Sequence, residues 1–441
     1  MKSFVHFVLA IAAFIGTVTL VSGSNSNNNS NSSSSNSNGS SSSSSSSNSN
    51  SPVGPPTVPP LTGITKSLAI TGIDLFLAIE TSPRDSLIIS PISVEICLAV
   101  LYCGAGPPTE QYLQKALNLQ GAAVSQSVVA TNFSQILESF NENDLKIATA
   151  IFVRNDLRPK ESFATLVKRQ FHTRFESIDF TNASEAARKI NRWVAQETDN
   201  EIKSILTPAN ISPFDEMFLL NAAYFKGTWQ KPFAPSLTET GKFWTGPCSG
   251  PHFVHLQMMK QKNFFLVGQV DALQATAIKL PYKSGSSMIV LLPFNCNGLL
   301  HLENALKQVP LNEIENNLSS MLTILTLPKF KTDSTTTLNQ PLSALGLENI
   351  FTDEANLTGM FESFTNNQAL PTISSAFQRT IIEVNESGSE AATVTDFGAE
   401  DIPGEPGVPS YLNVFNANHP FIYMIIESNV NVFIGRFTGI P

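Results

Sequence analysis

Few residues of this chain are spaced for catalysis. Gly246-Pro247-Cys248-Ser249-Gly250 has the G-x-C-x-G spacing of a nucleophile elbow, which needs a strand before it and a helix after it. Here Pro251-His252-Phe253-Val254-His255 follows with a strand pattern, and Pro247 disturbs the turn, so the segment reads as a loop. His252 and His255, three apart, would share one side of a helix and bind a metal there. On a strand they face opposite ways, so no metal site is expected. H-E-x-x-H, G-x-x-x-x-G-K and G-x-G-x-x-G are all absent. Of six His, five lie beyond the leader, none beside a nucleophile. No catalytic residue and no cofactor are expected.

The segment that stands out is Glu386-Ser387-Gly388-Ser389-Glu390-Ala391-Ala392-Thr393-Val394-Thr395, small residues following the strand pattern Ile381–Val384. Its parity is uneven. Ser389, Ala391, Thr393, Thr395 and Ala399 make one charge-free face whose only large member is Phe397, whereas Glu390, Asp396 and Glu400 fall on the other. Such a strand can lie over a packed core. The same composition also suits an exposed linker.

The elements that must position this segment come in two blocks. Helical periodicity covers 62–81, and Ser90-Pro91 opens a second helix with Ser as N-cap and Pro at the first helical position. Further helices are expected at 111–117, 128–140 and 183–196, and strands at 145–153, 216–225, 264–279, 287–292, 322–327, 380–384 and 422–433. Helices mostly first and strands mostly later, without βα alternation, indicate an α+β fold.

Composition narrows the function classes. Within 441 residues, 27 Lys+Arg against 36 Asp+Glu give a net charge of −9, which disfavours nucleic acid and anionic membrane surfaces as partners. Mean hydropathy is +0.02, yet past the first 25 or so residues no apolar run reaches the ~18 that span a bilayer. Residues 1–23 read as a secretory signal peptide: Lys2, then an apolar Phe4–Leu20, then small residues up to Gly23. Residues 24–60 are Ser/Asn-rich, then Pro-rich, and read as a disordered spacer; 61–441 is the folded part. Export makes five sequons candidate glycosylation sites, at Asn132, Asn182, Asn210, Asn317 and Asn356. Of four Cys, Cys97 and Cys103 sit in an apolar run and read as buried thiols. Cys248 and Cys296 are candidates for a pair that sequence leaves open.

Asn221-Ala222-Ala223-Tyr224-Phe225-Lys226-Gly227-Thr228-Trp229 with Pro232-Phe233 resembles the most recognisable internal block of the serpins. Ser90-Pro91-Ile92-Ser93, Ile190-Asn191-Arg192-Trp193-Val194, Leu280-Pro281-Tyr282-Lys283, Leu327-Pro328-Lys329-Phe330, Asn356-Leu357-Thr358-Gly359-Met360, Glu383-Val384-Asn385-Glu386, Phe415-Asn416-Ala417-Asn418-His419-Pro420-Phe421 and Phe433-Ile434-Gly435-Arg436 match in order. The resemblance implies three β-sheets, eight or nine helices, and an exposed reactive loop over about 386–414. It further implies a monomeric suicide inhibitor whose partner is a protease held in a covalent complex, the cut loop inserting into the central sheet. Glu386, Gly388, Ser389, Glu390, Ala391, Ala392 and Thr393 would be the insertion hinge. A non-inhibitory carrier, storage or structural role is the alternative.

Family spacing places the scissile bond at Ile402–Pro403, although most proteases cut poorly before proline; Asp401–Ile402 and Phe397–Gly398 are chemically better bonds. Between Arg379 and His419 there is no Lys, Arg or His, so a trypsin-like target is not expected; elastase-like, subtilisin-like or cathepsin-like enzymes are. Ser127–Phe140 carries no Lys or Arg where heparin-activated members have a basic cluster, so heparin is not expected as a partner. Three features depart from the pattern. Ser387 creates a sequon at Asn385, Gln378-Arg379 replaces a frequent His-Lys pair, and Glu386–Phe421 is several residues too long.

Overall fold

The structure is a computed structural model; it describes residues 61–440 except 83, 120–124, 141–143, 363–369 and 387–411. The signal peptide and spacer therefore lie outside the described residues. Nine α-helices are present among the described residues: α1 Leu61–Ala78, α2 Pro91–Gly104, α3 Thr109–Ala116, α4 Gln126–Glu138, α5 Glu161–Phe171, α6 Ala183–Glu197, α7 Leu299–Leu306, α8 Leu311–Asn316 and α9 Asn339–Leu342. No helix among them is long and apolar enough to cross a membrane.

One sheet has the order β10-β11-β4-β2-β3, built from β2 Leu145–Arg154, β3 Arg174–Ile178, β4 Met217–Phe225, β10 Phe330–Thr337 and β11 Ser375–Val384. A nine-stranded network holds β1 Leu87–Ile89, β5 Glu239–Trp244, β6 Phe253–Val270, β7 Ala275–Pro281, β8 Ser287–Pro293, β9 Ser319–Pro328, β12 Asn413–Asn416, β13 Phe421–Glu427 and β14 Val430–Phe437. Strand β6 serves two sheets within it. Its first part pairs with β5 and β9, and its last part with β7, which leads through β8, β13 and β14 to β1. With the five-stranded sheet this makes three, in an α+β fold.

Several elements differ from the sequence expectation. The run 264–279 breaks at Asp271–Leu273 into two antiparallel strands, and 422–433 is a hairpin turning at Ser428-Asn429, both with positive φ. Ser90 is the N-cap of α2 but makes no side-chain cap bond. Helix α5 has no counterpart in the sequence reading. Cys97 is buried as expected, whereas Cys103 is only partly so.

Strand β4, at the centre of the five-stranded sheet, is buried on both faces. Residues 218, 220, 222 and 224 of β4 pack with Ile190, Trp193 and Val194 of α6, and Phe152 meets Trp193 edge-on at 5.6 Å. Residues 219, 223 and 225 join the main core, which includes α2. Near the C-terminus, Arg436 and Glu303 form a buried ion pair at 2.8 Å, and Arg436 also donates to Asp85 O.

Helix α2 carries one anomaly, Glu95, 1 % exposed with neither carboxylate oxygen hydrogen-bonded. Helix α1 comes close there at Gly72, where a Cβ would meet Pro91 Cβ at 2.8 Å. Burial alone pushes the Glu95 carboxyl well above its ordinary range. Because its folded pKa is raised, its contribution is most favourable below the unfolded pKa. That contribution is lost as pH rises toward the folded value, at about 1.4 kcal/mol per pH unit. Glu95→Leu should therefore raise stability by about 1–3 kcal/mol near neutral pH and flatten the pH dependence above pH 5. Urea unfolding of both proteins from pH 4 to 8 checks this; parallel profiles would contradict it.

Candidate functional site

The segment singled out in the sequence lies between β11 and β12. Glu386 is described; Gly388, Ser389, Glu390, Ala391, Ala392, Thr393, Phe397, Gly398, Asp401, Ile402 and Pro403 lie outside the described residues. What the structure describes is a sheet seam and the two stems of this segment.

At the seam, β11 runs parallel to β4, in register from Ser375↔Phe218 to Ile382↔Phe225. A strand continuing from β11 through a turn would run antiparallel to β11, and so antiparallel to β4. Placing it between them exchanges one parallel pairing for two antiparallel ones.

Gln378, 1 % exposed on β11, fastens the seam to the helix beneath. Its Oε1 accepts from Ser90 N at 3.1 Å, and its Nε2 donates to Ser90 O and Ser93 Oγ, both at 2.8 Å. Opposite it on β4, Asn221 Oδ1 accepts from the Cys97 thiol at 3.5 Å. Burial pushes that thiol up to about 12, against the opposing pull of the Asn221 bond, so Cys97 is no nucleophile. Around the seam, Asn221 Nδ2, Thr380 Oγ1, Thr149 Oγ1 and Ser90 Oγ are buried without a protein hydrogen-bond partner. Each such orphan costs about 1–3 kcal/mol.

Arg379 points the other way. It forks onto Asp333 of β10 at 2.8 and 3.0 Å and donates to Ser204 O at 2.6 Å, tying β11 to the chain that follows α6. Asn191 of α6 holds the same chain through Ile205 N and Leu206 N. The Gln378-Arg379 departure is thus one inward and one outward fastening of β11.

The first stem is pinned by three side chains. Trp229, stacked on Tyr282 at 4.2 Å, donates from Nε1 to Asn385 O at 2.9 Å. Glu386 accepts from Thr238 Oγ1 at 3.0 Å and pairs with Lys329 at 2.9 Å. Partial burial works against it, but the Lys329 and Thr238 bonds hold the Glu386 carboxyl below its usual range. The second stem is Leu412 entering β12, which pairs parallel with β9 from Asn413↔Thr323 to Asn416↔Thr326.

The other candidates fall elsewhere. Cys248 and Cys296 form a disulfide, which joins the β5–β6 turn to the loop after β8 beside His419. The G-x-C-x-G segment is that turn, with its cysteine occupied. Asn132 needs correction as a glycosylation candidate: it is 1 % exposed inside α4, and a glycan there is incompatible with this packing. Asn182, Asn210 and Asn317 are exposed, and Asn356 is half-buried.

A family model described as "Serpin (serine protease inhibitor)" matches residues 67–440. The chain belongs to the serpin family. It is 33 % identical to human "Serpin B3" over 83 % of this chain and 96 % of that protein. It is 30 % identical to the "Leukocyte elastase inhibitor" of Bos taurus over 83 % and 97 %. Among solved structures it resembles Serpin48 of the insect Tenebrio molitor, described as highly specific, with a TM-score of 0.72, 26 % identity, and 85 % and 97 % covered. Sequence reasoning had the stem at Glu386 but missed the seam and the Arg379 tie to Ser204, because a parallel contact between residues over 150 apart leaves no local periodicity.

Proposed function

We propose that this serpin is a secreted suicide-substrate inhibitor of an extracellular protease that is not trypsin-like. The target's serine or cysteine would attack a peptide carbonyl in the 387–411 segment, forming an ester or thioester while the amide breaks and the new amine leaves. The freed N-terminal arm, hinged at Glu386, would fold back between β4 and β11 before the acyl bond hydrolyses. Serpin loop insertion is a known form of strand addition.

The observation that carries this reading is the parallel β4–β11 seam with its buried, unpartnered Asn221 Nδ2 and Thr380 Oγ1. An arm placing Ser389, Ala391, Thr393 and Thr395 toward α2 brings hydroxyls and no charge to that face. The elastase inhibitor among the relatives agrees with a loop that offers Ile402, Asp401 and Phe397 but no basic residue. With no Lys or Arg on α4, heparin should not accelerate inhibition. A non-inhibitory serpin is the second reading, favoured by the Asn385 sequon, where a glycan would crowd the hinge.

Incubation with pancreatic elastase, subtilisin, a cathepsin and trypsin tests the proposal. A denaturant-stable complex with at least one of the first three, and none with trypsin, is expected. Complete cleavage without complex by all of them would favour the second reading.

A further inference from the structure

Beside the second loop stem, one face of the β6–β9–β12 sheet carries apolar side chains that are exposed among the described residues. Phe264 and Leu266 of β6 are 57 % and 43 % exposed, and Val414 of β12 is 46 % exposed. Register puts them on one side with two half-buried neighbours. Phe264 lies opposite Leu322, Lys262 opposite Ile324, and Ile324 opposite Val414. Exposed apolar side chains scattered singly are ordinary; a contiguous group rimmed by charge marks an interaction surface. Lys231 donates to Phe264 O at 2.7 Å at its border, and Lys262 and Lys260, the latter paired with Glu239, flank it.

The position of the stems indicates what covers this face. Glu386 is held by Lys329, immediately beyond the end of β9, while Leu412 precedes Asn413, which pairs with Thr323. Seven residues of strand, about 23 Å, separate Lys329 from Leu322. An enzyme gripping the segment between these stems stands against the same sheet. The nominal bond at Ile402 is at most about 35 Å of chain from Leu412. A protease domain of some 230 residues is about 45 Å across, so one whose cleft lies within about 22 Å of Leu412 reaches the face.

We propose that Phe264, Leu266, Leu322, Ile324 and Val414 form a secondary docking surface for the target protease. The surface would meet apolar side chains of that enzyme. This rests on the inhibitory reading above. Its role is to speed the encounter, not to hold the trapped enzyme, so it acts on association rate rather than on the fraction trapped.

The test compares Phe264→Ser, Leu266→Gln and Val414→Ser with the unaltered chain against each of pancreatic elastase, subtilisin and a cathepsin that the unaltered chain traps. Phe294→Ser, at an apolar position 47 % exposed outside this patch, is the control. Melting temperature is recorded for every variant, and any one of the three that folds suffices. At least a tenfold slower association with unchanged inhibitor-to-protease stoichiometry is expected for one or more enzymes, with no change for Phe294→Ser. Rates within twofold for every trapped protease would overturn the docking surface and leave the inhibitory reading standing. No trapping by the unaltered chain would overturn both.

Discussion

If the chain traps protease as proposed, Ser389→Arg or Thr393→Arg should make it a substrate instead. Ser389 and Thr393 belong to the charge-free parity of the segment after Glu386, which insertion would turn toward α2. That side of the seam is the closed core around Gln378, Ser90 and Ser93, all at most 1 % exposed. A guanidinium there loses its hydration with no carboxylate fastened to the seam as partner; the nearest acid on α2, Glu95, is turned toward α1. A desolvation cost of about 4 kcal/mol would slow insertion roughly a thousandfold. Hydrolysis of the acyl-enzyme then wins and the protease is released. Ser389→Arg and Thr393→Arg should give cleaved serpin and free enzyme on a gel, where the unaltered chain gives complex. Unchanged trapping stoichiometry would show that the parity has been assigned to the wrong face.

Removing the Gln378 amide should destabilise the uncleaved protein. Gln378→Leu keeps the volume but leaves Ser90 N without its partner and takes one bond each from Ser90 O and Ser93 Oγ, which keep the 3.0 Å bond between them. Stranding one buried donor and losing two further buried bonds costs about 3 kcal/mol. For a folded unit of some 380 residues that corresponds to a fall of about 4 °C in melting temperature. Scanning calorimetry checks it. A variant that melts within 1 °C of the unaltered chain would mean that the seam is held by its backbone register alone.

How much of this was legible in the sequence depended on distance along the chain. Helix α1 follows from local periodicity and α2 from its Ser90-Pro91 start, and helices were also expected where α4 and α6 lie. Phe264–Lys279 was read as one strand because its apolar residues continue across the turn at Asp271–Leu273, where the marker is a left-handed Gln274 rather than a glycine. The Cys248–Cys296 pairing spans 48 residues and stayed open until the loops were seen to meet. Asn132 looked like a surface sequon because Asn-Phe-Ser records no burial. The Gln378-Arg379 departure was visible, but its meaning required Ser90 and Ser93, Ser204, and Asp333, which come from three separate stretches of chain.

The central claim is that the segment after Glu386, once cut, enters the β4–β11 seam and lowers the energy of the fold. Nicking it with a nonspecific protease and comparing melting temperatures of intact and nicked protein is the most direct measurement. Replacing one parallel pairing of eight register positions by two antiparallel ones adds about eight backbone hydrogen bonds. At 0.5–1.5 kcal/mol each these contribute about 4–12 kcal/mol. The nicked form should melt at least ~5 °C higher than the intact one. An equal or lower melting temperature after a single verified cut within 387–411 would contradict insertion, and with it the inhibitory function.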